Sequence, residues 1–414
     1  MKKALNLTLL AVVAWTAWGQ NDRSRYRSAV FDRKSYLESK IESALWRAGR
    51  WSFDPSFGVR ETGYDSNVLS ESDLQKVDDY QAAPFVGINA VYRASGIWAW
   101  EADTKLSYNW FKELDYLNDI DLDASSKIHF MLRRAYASIS YSQRESIARP
   151  NSEIDQRATN QNQSAGLDLS VQISPKVTVN FEARHTEFEF TESSDTSLVS
   201  LNHQGDRATL GLFWHKSKRF WPHFELRYEE KDFRDDPDPY TNRATTLMVG
   251  VRNELGERFH TDLKLGVVDF DFDYLENDAL DSSHQALRVD AFGDYKITRR
   301  FSMDFSLSQT PVVSVFQGFD YYRSSQVSFS SKYRFTKRMS VGPLITVGQN
   351  KYEPNAISAE RRKDDRLLGG LTFDVALRDP MTLSMTFGWS ERTSNLEDQN
   401  DEGFTVLMRF VYGK

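Results

Sequence analysis

From Leu367 to Trp389 the chain reads LLGGLTFDVALRDPMTLSMTFGW, and its apolar residues repeat with a period of two. Leu367, Leu371, Phe373, Val375 and Leu377 share one parity, with Thr372 and Asp374 on the other; after Asp379-Pro380 the alternation resumes through Met381, Leu383, Met385, Phe387 and Trp389. This pattern specifies a β-hairpin with one apolar face. Each arm has about the 9 to 11 residues that a tilted strand needs to cross the hydrocarbon of a bilayer. The apolar face ends in a Trp, as an interfacial aromatic belt would. A soluble sandwich also alternates, so the decision rests on how often the unit recurs.

It recurs along the whole chain. Eighteen alternating segments can be counted from residues 55–66 to residues 403–412, and a miscounted edge would give sixteen, the next even number. Tight connections, such as Arg133-Arg134, Ser174 to Lys176, Thr298 to Arg300, Thr336 to Arg338 and Asp379-Pro380, take turns with long polar ones at 67–81, 145–161, 190–205, 271–284, 350–365 and 390–402. Short and long ends therefore segregate, as in an all-β, up-and-down antiparallel transmembrane barrel with short periplasmic turns and long extracellular loops; Greek-key crossings would mix them. The strand after each short turn opens alike, with ITRRFSMDF from Ile297 and FTKRMSVG from Phe335 as examples. The basic residues there end strands in water, and contact with anionic headgroups is the second reading.

Composition agrees. Charged residues make up 27% and aromatic residues 13% of 414 residues, mean hydropathy is −0.57, and no later segment approaches 18 consecutive apolar residues. No helix crosses a membrane on that pattern, whereas a membrane barrel escapes the test because every second residue is polar.

The first fifty residues differ from the rest. Lys2 and Lys3, an apolar run from Leu5 to Trp18, and the small residues Ala17 and Gly19 read as a secretory signal peptide over 1–19, cleaved before Gln20. The absence of Cys suits an exported protein that does not rely on disulfides. Loss of the two lysines takes the net charge from −7 to −9 and argues against nucleic acid as a partner. Residues 20–50 form a periplasmic N-terminal segment, in which Leu37, Ile41, Ala44, Leu45 and Ala48 recur at helical spacing. Asp32 can cap the start and Gly49 can sit at the left-handed C-cap, so one amphipathic helix is expected over 32–48, a plug or partner handle on one reading and a rim cover on the other. The barrel then occupies 51–414.

Parity also assigns the lumen. If Phe181 and Ala183 face lipid, the inward set comprises Glu182, Arg184, Arg207, Glu225, Arg227, Asp262, Lys264, Arg288, Asp290, Asp294, Asp304, Lys332, Arg334, Asp374 and Arg409. Both signs at such density suit a water-filled lumen and not a dry core. For any one of them, pairing across strands is preferred to a ligand role. The outer loops are acidic, and the runs DIDLD (Asp119, Asp121, Asp123) and DFDFD (Asp269, Asp271, Asp273) raise calcium, but neither has the Gly and distal Glu of an EF-hand loop, so no metal or cofactor is expected. There is no Gly-x-Ser-x-Gly, no His-Glu-x-x-His and no phosphate-binding Gly-Lys motif, and the seven His residues are scattered; the chain does not read as an enzyme.

The last strand, GFTVLMRFVYGK, puts Phe404, Val406, Met408, Phe410 and Tyr412 on one face. It resembles the C-terminal signal read by the outer-membrane barrel assembly machinery, although Gly413 and Lys414 follow the final aromatic. Together with GYDSNV (Gly63 to Val68), the signal peptide and the basic-turn hairpins, it resembles the second beta-barrel porin group, outer-membrane barrels found with exopolysaccharide biosynthesis and export systems. The resemblance spans roughly residues 51 to 414. It implies an outer-membrane conduit for a secreted polysaccharide, beside a periplasmic polysaccharide export protein and embedded in outer-membrane lipid and lipopolysaccharide. The residues themselves leave open a general or selective porin for small solutes, and a surface adhesin without transport.

Overall fold

The computed structural model describes residues 29–69, 76–148, 158–190, 196–217, 219–235, 239–254, 258–275, 281–314, 319–354, 361–396 and 399–413. The expected signal peptide lies outside these residues.

Eighteen long strands, β2 (Trp51–Asp65) through β19 (Asp401–Tyr412), each pair antiparallel with the next, and β19 pairs back onto β2 to close the sheet. The fold is the expected all-β up-and-down barrel. A nineteenth strand, β1 (Trp46–Ala48), is a three-residue spur. Outward positions carry the large apolar side chains: on β12 (Phe259–Tyr274) Leu263, Leu265 and Val267 are exposed, while the alternate residues Asp262 and Lys264 are partly covered on the concave side. On β16 (Met339–Pro354) the outward apolar stretch runs from Met339 to Val347, which for strands tilted by ~40° gives a band about 20 Å tall.

The strands run past the apolar alternation at the long-loop end. DIDLD, expected in an acidic loop, is part of β5 (Asp119–Met131) with its three Asp on the concave face, where Asp121 accepts from Asn109 and Arg60. On β12 the faces invert above the band: Asp269 and Asp271 stand exposed on the outward parity, whereas Phe270 and Phe272 turn in and pack with Phe233, Tyr240 and Tyr321. Outside the bilayer the outward face meets water, so the side chains exchange places while the backbone ladder continues.

The N-terminal helix differs from its expected span. Helix α1 is Ala29–Glu42, ending six residues before Ala48. Trp46 to Ala48 pair instead with Trp51 to Phe53, because β19 reaches only Phe57 and leaves that edge of β2 unpaired; three ladder residues satisfy backbone groups that would otherwise stand open. Gly49, at φ +62°, supplies the left-handed conformation of this hairpin turn and not a helix cap.

At the β19–β2 seam the two backbones leave no room for a side chain at Gly58. A Cβ at Gly58 would lie 2.0 Å from the Phe410 carbonyl oxygen, an overlap with backbone that no rotamer relieves. Gly58→Val is therefore expected to block closure, at more than the ~1–3 kcal/mol of ordinary overpacking, and to cut the compact heat-modifiable gel band several-fold. Gly369→Ala, whose Cβ meets only the Trp389 ring at 3.8 Å, is the control.

Candidate lumen site

Two residues per repeat place every second side chain of each strand on the concave wall, and cross-strand register decides which charges meet there. Glu182 and Arg184 of β8 (Val177–Phe190) lie opposite Thr209 and Arg207 of β9 (His203–Trp214). Arg207 donates to Glu182 at 3.0 Å, with Arg184 3.6 Å from the same carboxylate. Glu225 of β10 (Phe220–Phe233) is almost fully covered between Arg227 and Lys264, each 2.9 Å away. Asp262 is bonded by Arg252, Arg288 donates to Asp290 at 3.1 Å, and the His260 Nδ1 lies 2.9 Å from Asp294. Lys332 reaches Asp374 at 2.6 Å, and Ser384 and Ser340 donate to the same carboxylate. Asp304 stands opposite Asp294 in register, with the Ser330 hydroxyl 3.5 Å from its carboxylate. Arg334 is exposed at the short-turn rim.

Most of these charges brace the wall. Partners within one strand, on adjacent strands or across one intervening strand, as in Lys264–Glu225 and Lys332–Asp374, satisfy each other, so they are poor candidates for holding a solute. Arg409 differs, since it makes no ion pair among the described residues and is open to water. Sequence reasoning passed over its neighbours. Arg60 on β2 donates to Ser107 at 2.7 Å and reaches Asp121, across two intervening strands, at 3.4 Å. Lys105 of β4 (Trp98–Phe111) sets its ammonium 4.5 Å from the centre of the Phe85 ring and has no ion pair among the described residues. Arg60 and Arg409 both act electrostatically on Lys105, so three cations converge beside the seam, with Glu61 near them.

Glu61 explains why Arg60 was missed. Its φ of +53° marks a bulge where the β2 register shifts between Arg60 and Gly63, and the inward parity changes from even to odd residues. An unbroken parity count cannot follow the chain across such a bulge. A non-Gly residue in that conformation stores strain, often at a working site. Lys105, in contrast, is readable from the outward Leu106 and Tyr108 beside it.

The second feature of the lumen is α1. Leu37, 2% exposed, packs against Val91, Ala99, Met131 and Tyr136, with Ile41 alongside. These wall residues alternate with the outward Trp98, Phe130 and Leu132, so the helix lies against the inner wall near the short-turn rim. Lys40 bonds to Glu101, whose other oxygen is 3.0 Å from the His129 Nε2; His129 Nδ1 is 2.9 Å from the Tyr136 hydroxyl. Glu38 lies 3.8 Å from Arg93.

By sequence, no protein-family model and no curated protein matches the chain. By structure it is similar to the outer-membrane protein OpdK from Pseudomonas aeruginosa, with a TM-score of 0.54 at 10% identity, over 88% of this chain and 99% of that one. The structure of OpdK with vanillate gives 0.52 at 10% identity, over 87% and 99%. The FrpB iron transporter from Neisseria meningitidis gives 0.49 at 10% identity; this chain spans 86% of its own length and 63% of FrpB. At such identities the likeness to OpdK establishes the fold alone, a closed β-barrel like that of this outer-membrane protein.

Proposed function

We propose that the protein is a non-enzymatic outer-membrane channel for small polar solutes, with a preference for anions. The observation that carries this reading is the contrast on the concave wall. Arg184 and Arg207 sit beside Glu182, and Arg227 and Lys264 beside Glu225, whereas Lys105 and Arg409 beside Arg60 make no ion pair among the described residues. An unpaired cation attracts a passing anion where a paired one does not. The likeness to OpdK over nearly its whole length, and the vanillate in one OpdK structure, support a channel for small carboxylates over a structural anchor.

Export of a polysaccharide is the second reading. The feature that favours it is α1, which narrows the short-turn mouth as a conduit closed at rest would require. The two separate in liposomes holding the purified barrel, which on the channel reading take up benzoate-sized carboxylates several-fold faster than neutral sugars of equal size. A sealed barrel, together with loss of surface polysaccharide in a deletion strain, would reverse the order.

A further inference from the structure

The outward face of β14 to β17, with β14 Phe301–Val313, β15 Phe319–Arg334 and β17 Lys363–Arg378, is not uniformly convex. Leu307, Val327, Val347 and Leu367 stand side by side in register across the four strands, all directed away from the lumen and exposed, Val327 and Val347 by 52% and 53%. They line a groove of about 670 Å³. It lies where small residues follow large ones: Phe305, Phe329 and Ile345 occupy the row nearer the short turns, and Gln309, Ser325 and Gln349 the row nearer the long loops.

One step further, two residues along each strand and so about 7 Å away, the same face carries Arg323, Lys351 and Lys363. They are consecutive register partners, Arg323 opposite Lys351 and Lys351 opposite Lys363. Adjacent strands lie about 4.8 Å apart, so the three cations make a row about 10 Å long above the groove. Three carboxylates share the area: Glu353 bonds Arg323, Asp365 lies 2.8 Å from Lys363, and Glu391 lines the groove. Both pairs are substantially exposed and therefore weak, while Lys351 has no ion pair among the described residues. A phosphate competes well for guanidinium and ammonium groups held this way.

We infer that this face binds one phosphorylated, multi-acylated lipid of the outer leaflet, a lipopolysaccharide, with its phosphates on the Arg323–Lys351–Lys363 row and an acyl chain in the groove. Charge complementarity selects this occupant. The cations stand just past the long-loop edge of the apolar band, at headgroup height, and the groove runs from them into the band. The inference depends on the barrel standing in the outer membrane and not on what passes through it.

The test extracts full-length protein from lipopolysaccharide-containing membranes and counts the lipid retained per barrel by native mass spectrometry. The wild type is expected to keep about one lipopolysaccharide through delipidation. The triple variant Arg323→Glu, Lys351→Glu, Lys363→Glu should retain at least about tenfold less, and Val347→Trp, which fills the groove without touching charge, should also lose it. Heat-modifiability and conductance should match the wild type in both, since every changed side chain faces away from the lumen. Equal retention by the triple variant overturns the inference, as does a dimer or trimer that Val347→Trp dissociates, since the groove would then be an interface between copies.

Discussion

Lys105→Glu combined with Arg409→Glu is expected to turn an anion-preferring channel into a cation-preferring one. The wild-type patch places two cations without ion pairs beside Arg60, and the double change leaves two carboxylates in their place, next to Glu61 and with Asp123 opposite position 105 in register. A unit charge contributes about 1 kcal/mol at 4 Å in water, and reversal doubles the swing at each position before screening over a Debye length of about 8 Å reduces it. A change on the order of tenfold in the anion-to-cation permeability ratio follows, read from the reversal potential across a salt gradient and shrinking as ionic strength rises. Arg184→Glu is the informative contrast. Its guanidinium lies beside Glu182, which Arg207 already satisfies, so reversal there should disturb the wall more than the selectivity. The same holds for Arg227, beside the nearly covered Glu225. If the double variant keeps the wild-type reversal potential while Arg184→Glu moves it, the selective patch lies elsewhere on the wall.

The distance between what the residues announced and what they build has a physical pattern. Strands were legible wherever one face met lipid, because hydrocarbon enforces apolar residues at period two and tight turns punctuate them; β18, at Met381–Ser394, starts where the alternation starts. Beyond the bilayer that enforcement stops. On β12 the alternation continues with its faces exchanged at Asp269 to Asp273, so a count of apolar outward residues ends too early. The helix was expected too far downstream because Ala44, Leu45 and Ala48 fit a helical stripe, yet the open edge of β2 offered Trp46 to Ala48 a better use for their backbone groups. The inward set followed from parity, but its pairing did not. Arg60 meets Asp121 across two intervening strands and Lys127 reaches Asp168 at 3.3 Å across one, and no spacing in a single sequence encodes such contacts. The bulge at Glu61 hides Arg60 for a related reason: one extra residue exchanges the two faces.

Helix α1 sets the last expectation. Strand spacing of ~4.8 Å and tilt near 40° give an 18-strand barrel a backbone diameter of about 35 Å, whereas a helix with side chains is about 10–12 Å across. Seated on one wall, α1 obstructs the short-turn mouth without filling it. Its hold rests on Leu37 in the Val91–Ala99–Met131–Tyr136 pocket and on the Lys40–Glu101 pair. Burial opposes the charge on Lys40, but Glu101 outweighs it and raises its pKa above the ordinary lysine value. The pair's contribution is thus fully present below the unfolded pKa of about 10.4 and is lost only as pH rises through the raised folded value, so docking should not change between pH 6 and 9. Leu37 is the weaker point. Leu37→Ala removes about 2–3 kcal/mol of burial, which moves the docked-to-undocked ratio on the order of 30- to 150-fold. Because the chain has no Cys, a single Ser39→Cys can carry a spin label, with a second at Arg133→Cys on the neighbouring short turn. The expected result is one narrow distance in the otherwise wild-type protein and a broad distribution with Leu37→Ala, accompanied by a higher and quieter conductance that deletion of residues 29–42 reproduces. Unchanged conductance in the deletion would show that α1 rests on the wall without guarding the path, and a narrow distance in Leu37→Ala would move its anchor to the Lys40–Glu101 pair.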